Sequence, residues 1–363
     1  MAEQIKSLLF KYDELNAMAE RATEWVNTFS WEKSAKIVEQ GILERLIEKG
    51  FESAMYEISP ADIRASVIIP TYNGGEPFKH VLDALMKQRA PWNYEVVIVD
   101  SGSKDGTIEY IQNYPEVKLL HINSRDFQHG RTRNVAIEHT QGDFVAVLTH
   151  DALPADEFWL YNIVSLLEHY PDAAGAFGRH FAYDEADPYT KKDLIDHFNG
   201  FDNLPINLSK YTDEGKYNSE DKGWRQVLHF YSDNNSCMRK SVWEQIPYPE
   251  VPFGEDQAWA KLVTDAGYEK LYSKAATVYH SHDFDYEETH KRASEEAEFF
   301  ASYFGYEMVN QDTVHETIAD LNQRDKQHGE SVGWDEATIA NRIQINEAKM
   351  LGFLDGQKAV FNK

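Results

Sequence analysis

Apolar residues in the first sixty positions recur at helical spacing. Leu8, Tyr12, Leu15, Ala19, Ala22, Val26 and Phe29 follow steps of four and three, which puts them on one helix face. A second helical pattern runs from Ser34 to Lys49 and meets a capping glycine at Gly50. These helices can pack on the domain that follows or, because the spacing resembles a heptad seam, meet a second copy. From Ala65 the period changes. Ser66–Pro70 and Tyr94–Asp100 read as buried strands separated by a helix over Phe78–Gln88. Lys118–Ile122 and Phe144–Thr149 continue the alternation. Strands alternating with helices predict an α/β fold with a doubly wound, mostly parallel, Rossmann-like sheet.

Periodicity is lost between Tyr183 and Gly223, where Asp, Asn, Lys, Gly and Tyr accumulate. A loop of that length inside a compact domain is expected to be functional or mobile. Helical patterns return from Glu287. Ile339, Ile343, Met350, Leu351 and Leu354 mark a terminal amphipathic helix, which can pack, dimerise or lie on a membrane surface. The expected division is a helical extension over 1–62, an α/β domain over 63–285 and a helical region over 286–363.

Composition narrows the setting. The chain has 363 residues, 42% apolar and 27% charged, as ordinary soluble domains do. Its one cysteine, Cys237, cannot form an internal disulfide, which suits a reducing cytosol. No apolar run resembles a signal peptide or reaches the ~20 residues of a membrane span. The expected location is therefore cytoplasmic, with at most peripheral membrane contact. Lys plus Arg number 36 against 61 Asp plus Glu, a net charge of −25, which disfavours nucleic acid as a partner.

Candidate chemistry lies where the strands end, the place where open α/β sheets bind ligands. There is no GxGxxG turn and no GxxxxGK[ST] loop. Instead Pro70 ends the first strand and Thr71, Tyr72 and Asn73 follow it, while Asp100 ends the second and Ser101 and Asp105 come after. A carboxylate at Asp100 can accept the N3–H of a pyrimidine, with Tyr72 stacking on the base; the alternative is a capped turn. Asp151 follows an apolar strand and is a candidate ligand for Mg²⁺ or Mn²⁺. His280 and His282 follow another strand and alternate onto one face, as further metal or phosphate ligands. Glu255 and Asp256 open a helical pattern running through Trp259, where the helix N-terminus favours an ionised carboxylate and a general base. Arg131, Arg133 and Asn134 sit in His129-Gly130-Arg131-Thr132-Arg133-Asn134, and Gly178-Arg179 is a weaker echo; arginine beside a small residue suits diphosphate.

The ordered motifs resemble the inverting family 2 glycosyltransferases of GT-A fold, and within them the bacterial rhamnosyltransferase-like group. The likeness covers roughly residues 64 to 285. Pro70-Thr71-Tyr72-Asn73, Asp100-Ser101-x-Ser103-x-Asp105-Gly106-Thr107, Phe127-x-His129-Gly130-x-Thr132-Arg133-Asn134, Leu148-Thr149-x-Asp151-Ala152-x-Pro154, Asn235-Ser236-Cys237-Met238-Arg239 and Gly254-Glu255-Asp256 carry it. The resemblance implies base and ribose contacts from the first two motifs, a metal on Asp151, a general base at Asp256 and a histidine such as His280 completing the metal or phosphate site. His129, His150, Arg179, Asn235, Ser236 and Trp259 become candidates for contacts to the donor sugar or acceptor. Two features depart from the group: Thr149 stands for the first carboxylate of Asp-x-Asp, and His150 and His180 stand for glutamines.

The implied activity moves L-rhamnose from dTDP-L-rhamnose to a hydroxyl of a surface glycan or lipid-linked glycan. UDP-galactose, UDP-glucose and UDP-GlcNAc are alternative donors. The rivals from other classes are a nucleotidyltransferase, which lacks its second carboxylate near Asp151, and a non-catalytic glycan- or nucleotide-binding scaffold. The terminal helices offer a surface for a homodimer.

Overall fold

A computed structural model describes residues 62–361, so the helices expected over the first sixty residues lie outside the described part. The first half runs β1 (Ile63–Thr71), α1 (Gly75–Leu85), β2 (Asn93–Asp100), α2 (Thr107–Ile111), β3 (Lys118–His121), α3 (His129–Glu138), β4 (Phe144–Leu148), β5 (Leu153–Pro154), α4 (Trp159–His169) and β6 (Ala173–Phe181). Then come α5 (Pro188–Asp202), β7 (Asn207–Leu208), α6 (Glu214–Asn218), α7 (Lys222–His229), β8 (Asn235–Arg239), α8 (Lys240–Trp243), α9 (Glu255–Ala266) and β9 (Glu269–Tyr279). Helices α10 (Tyr286–Phe299), α11 (Val314–Val332) and α12 (Glu336–Phe361) close the chain.

The strands form one sheet in the order β3-β2-β1-β4-β8-β6-β9-β5, with β7 also on β9. β3, β2, β1 and β4 are parallel neighbours. β8 enters antiparallel to both β4 and β6, and β6 pairs parallel with β9. β1 is buried almost along its length, as expected where helices cover both sheet faces. Val67 and Ile69 point into one apolar core with Phe78 and Ile163, whereas Ile68 faces a second with Ile137 and Trp259. That alternation makes three layers from the two-residue period of a strand.

The register aligns the strand ends that matter. Thr71 lies opposite Asp100, Leu148 opposite Asn235 and Phe181 opposite Tyr279. The connections after β1, β2, β4, β6 and β9, and the one before β8, therefore leave the sheet along one edge.

The expected loop over 183–223 is largely structured. Asp187 accepts a hydrogen bond from the Tyr189 N–H at 2.7 Å, and Pro188 opens α5, a favourable helix start. Its buried residues are Tyr189, Phe198 and Phe201. With so few apolar positions among polar ones, the helical period is too sparse to read from the sequence. Asp213 and Asp221 cap the short helices α6 and α7 in the same way.

At the other end, α12 packs on α10 where Gly352 and Gly356 meet the carbonyls of His290 and Ser294, leaving no room for a Cβ. The terminal pattern thus serves packing within the chain. Among the described residues no helix is long and apolar enough to cross a membrane.

Candidate active site

The strand-end connections open onto a cavity of about 870 Å³. Its wall brings together Pro70, Thr71 and Tyr72 at the end of β1, His150 and Asp151 after β4, Glu255 and Asp256 at the start of α9, and His280 and His282 after β9. His129 at the start of α3 joins them.

One part of the wall is a carboxylate between two imidazoles. Nε2 of His282 lies 3.0 Å from Asp151 Oδ2, and Nε2 of His280 lies 3.6 Å from Oδ1. The three groups can offer ligand atoms that all lie within 4.8 Å of one another, a donor set that fits a divalent cation. Tyr183 donates its hydroxyl to the Asp151 carbonyl at 2.8 Å and so holds the turn after β4. Burial resists ionisation of Asp151, but the hydrogen bond from His282 and the electrostatic pull of the His280 and His150 imidazoles outweigh it. The carboxyl stays well below the usual carboxylate range. Burial pushes His280 down to about 4 against the pull of Asp151, which leaves the ring neutral and able to bind metal near about pH 7.

The second part is a cluster of acids around one cation. Gly254 precedes α9 with φ 66°, a left-handed conformation that glycine adopts at little cost. It turns Glu255 and Asp256 back toward the cavity. Arg133 is buried; its Nε lies 3.1 Å from Asp233 Oδ2 and its Nη1 bonds Glu255. Ser236 and Tyr248 donate their hydroxyls to Asp233 Oδ1 at 2.7 and 2.8 Å. Asp256 is half-buried and accepts from the backbone N–H groups of Asp233 and Gln257 at 3.2 and 2.7 Å. Burial, with the like charges of Glu255 and Asp233, raises Asp256 well above the ordinary carboxylate range, and Arg133 acts in the other direction. A carboxylate of raised basicity at a cavity wall is suited to take a proton.

The loops after β1 and β2 are stapled together. Asn73, at φ 48°, donates its N–H to the Ser103 hydroxyl oxygen at 2.8 Å, and its side-chain oxygen accepts from the Lys104 N–H at 2.9 Å. Asp105 accepts from the Gly75 N–H at 2.9 Å and the Thr107 hydroxyl at 2.7 Å. Asp100 is fully buried; Oδ1 accepts from the Gly102 and Ser103 N–H groups, and Oδ2 from the Ser103 hydroxyl. Ser101 bonds the Thr71 carbonyl. Tyr72 stands out at the rim with half its surface exposed, 52%.

Several residues expected at the site serve the scaffold instead. Arg131 is exposed and paired with Glu250 at 2.5 Å, and Arg133 is enclosed by carboxylates, so neither presents its charge to a diphosphate. Asn134 holds the segment before α9 through Tyr248 and the Trp243 indole. Arg179 pairs with Asp202 at 2.8 Å and lies away from the cavity. Asn235 is fully buried between the Trp159 indole and the carbonyls of Arg179 and Ala276. Ser236 serves Asp233, and Trp259 is a core residue donating to the Ile246 carbonyl. Other wall residues were missed: Asn234, 3.4 Å from His280 Nδ1, and Arg292, Glu298 and Phe299 on α10. Their helix reads as an ordinary polar one, and only the fold turns that face inward.

Residues 66–246 match the family described as Glycosyl transferase family 2. The O-antigen chain rhamnosyltransferase RfbN of Salmonella typhimurium is 33% identical over 242 residues, 66% of this chain and 73% of that protein. WbaN of Salmonella anatum, also an O-antigen chain rhamnosyltransferase, is 30% identical over 223 residues, 60% of this chain and 66% of its own length. The chain belongs to the family 2 glycosyltransferases and is a glycosyltransferase. A mannosyltransferase from Pyrobaculum calidifontis, solved in complex with GDP-Man and Mn²⁺, superposes with a TM-score of 0.55 at 16% identity, over 84% of this chain and 89% of that one. That likeness is one of fold, and the fold is GT-A.

Proposed function

We propose that this glycosyltransferase moves L-rhamnose from dTDP-L-rhamnose to a hydroxyl of a surface-polysaccharide or lipid-linked glycan acceptor, with inversion. The observation that carries the reading is the pairing, in one cavity, of a carboxylate of raised basicity with an Asp-His-His donor set. The names of the two rhamnosyltransferase relatives support the choice of donor.

In this reading Asp256 takes the proton from the acceptor hydroxyl as its oxygen attacks the anomeric carbon and the bond to the diphosphate oxygen breaks in line. Arg133 acts behind it, pairing with Glu255 and Asp233 and so holding Asp256 through the start of α9. Asp151, His280 and His282 hold a divalent cation, and two imidazoles favour Mn²⁺ over Mg²⁺. When bound there, such a cation would supply charge neutralisation for the departing diphosphate. Tyr72 stacks on the base, while Asn73, Ser101, Asp100 and Asp105 keep the two nucleotide loops in register. His129 and His150 face the sugar. Residues 63–285 form the transferase domain, and the segment from 286 completes its cavity through α10. The reaction is assigned to the cytoplasm, at or near the inner membrane face.

Calorimetric titration with dTDP-rhamnose, UDP-galactose, UDP-glucose and UDP-GlcNAc tests this, in Mn²⁺ and then in EDTA, on wild type and Asp151→Ala. Metal-dependent binding of dTDP-rhamnose, lost in the variant, is expected. Preference for a UDP-sugar refutes the rhamnose assignment, and binding that ignores both EDTA and the substitution refutes the metal assignment.

A further inference from the structure

If neither Arg131, Arg133 nor Arg179 faces the cavity as a free cation, the diphosphate of a nucleotide sugar needs another partner. Arg133 and Arg292 are the arginines of the cavity wall among the described residues, and no lysine lines it. Arg133 is enclosed by Asp233 and Glu255. Among the described residues Arg292, on α10, has no hydrogen-bond or ion-pair partner. Partners are not lacking: Glu288, Glu295 and Glu296 lie four residues before and three and four after it, within ordinary reach on a helix.

What Arg292 does instead is lie over an aromatic ring. Its guanidinium carbon lies 4.5 Å from the centre of the Phe284 ring. Phe284 in turn stacks on His282, with ring centroids 5.2 Å apart and planes 21° from parallel. The ring of His282 is one of the two imidazoles against Asp151. A guanidinium held over an aromatic face by the ring's quadrupole keeps its N–H donors for other acceptors, and those donors match phosphate oxygens in pairs. The stack therefore fixes a cation beside the Asp-His-His group without using up its hydrogen bonds.

We propose that Arg292 binds the diphosphate of the nucleotide sugar, as the cationic side of the site formed by Asp151, His280 and His282. This rests on the nucleotide-sugar reading above. It also gives α10, which lies beyond the region matched to the family, a direct part in donor binding. Because Arg292 is exposed, its replacement leaves the core untouched.

The test is calorimetric binding of dTDP, dTMP and thymidine to the full chain, with Mn²⁺ and with EDTA, in wild type, Arg292→Gln and Arg292→Lys. Arg292→Gln is expected to weaken dTDP about tenfold to a hundredfold, the range of hydrogen bonds to charged groups. Thymidine should be unchanged, and Arg292→Lys should recover only part of the dTDP affinity, because it restores the charge without the paired donors. Equal dTDP binding by wild type and Arg292→Gln overturns the proposal, and so does an equal loss for thymidine. A wild type that binds no dTDP, nor UDP in a parallel titration, overturns the donor reading itself.

Discussion

Replacing Arg133 by methionine removes the cation from the acid cluster and leaves its volume nearly filled. Arg133 is 4% exposed, and its partners Asp233 and Glu255 are 1% and 7% exposed, so solvent screens little of the charge. Asp256 adds a third carboxylate to the same group. Removing one partner of a buried pair costs roughly 3–5 kcal/mol, because the other charge stays buried without compensation. For a domain of this size that is a fall in melting temperature of roughly 10 °C. The loss carries a pH signature. Burial already raises Asp233, with Glu255 adding to it and Arg133 opposing, so the variant raises it further. A carboxyl with a raised folded pKa contributes stability below its unfolded value of about 4 and loses it as pH rises through the folded value. The gap between wild type and Arg133→Met should therefore widen from about pH 5 to about pH 8 and narrow in acid. Thermal melts followed by far-UV circular dichroism across that range measure it. A gap under about 1 kcal/mol at neutral pH, or one that grows on acidification, would refute the view that Arg133 is a buried counter-ion rather than a ligand contact.

Other substitutions report on neighbouring parts. Asp256→Asn should lower the transfer rate by about 10²–10⁴ while leaving donor affinity intact, as measured by nucleoside diphosphate release and by titration. In wild type the rate should fall toward acid through a pKa above the ordinary value of about 4, because Asp256 must be ionised to accept the proton and its pKa is raised. Gly254→Ala forces a side chain into a left-handed conformation, where its Cβ would come 2.5 Å from Phe299 Cε1. It should cost at least about 1–2 kcal/mol in denaturant melts and reduce activity with it, since the turn aims Glu255 and Asp256.

The parts legible in the sequence are those carried by local pattern. The apolar runs at Ser66–Pro70 and Phe144–Thr149 appear as β1 and β4, and the sheet order then brings the residues after them to one edge. Asp151, His280 and His282, far apart in the chain, meet there because β4 and β9 end at the same level. What the sequence hid were partners. Arg133 looks like a phosphate ligand until Asp233 and Glu255, a hundred or more residues away, are seen around it. Asn134, Asn235 and Trp259 likewise look like site residues, but their polar atoms satisfy buried carbonyls and indoles. The helix over Pro188–Asp202 was unreadable because its buried face is three aromatic residues among polar ones. Arg292 gave no signal at all, since its meaning depends on the Phe284 and His282 rings beneath it.

The most direct test of the account is the anomeric configuration of the sugar transferred from dTDP-rhamnose to a lipid-linked glycan acceptor, read by NMR for wild type and Asp256→Asn. The account predicts a product of configuration opposite to the donor, formed by wild type and nearly absent with the variant. Retention of configuration, or undiminished transfer by Asp256→Asn, would contradict in-line attack with Asp256 as the base.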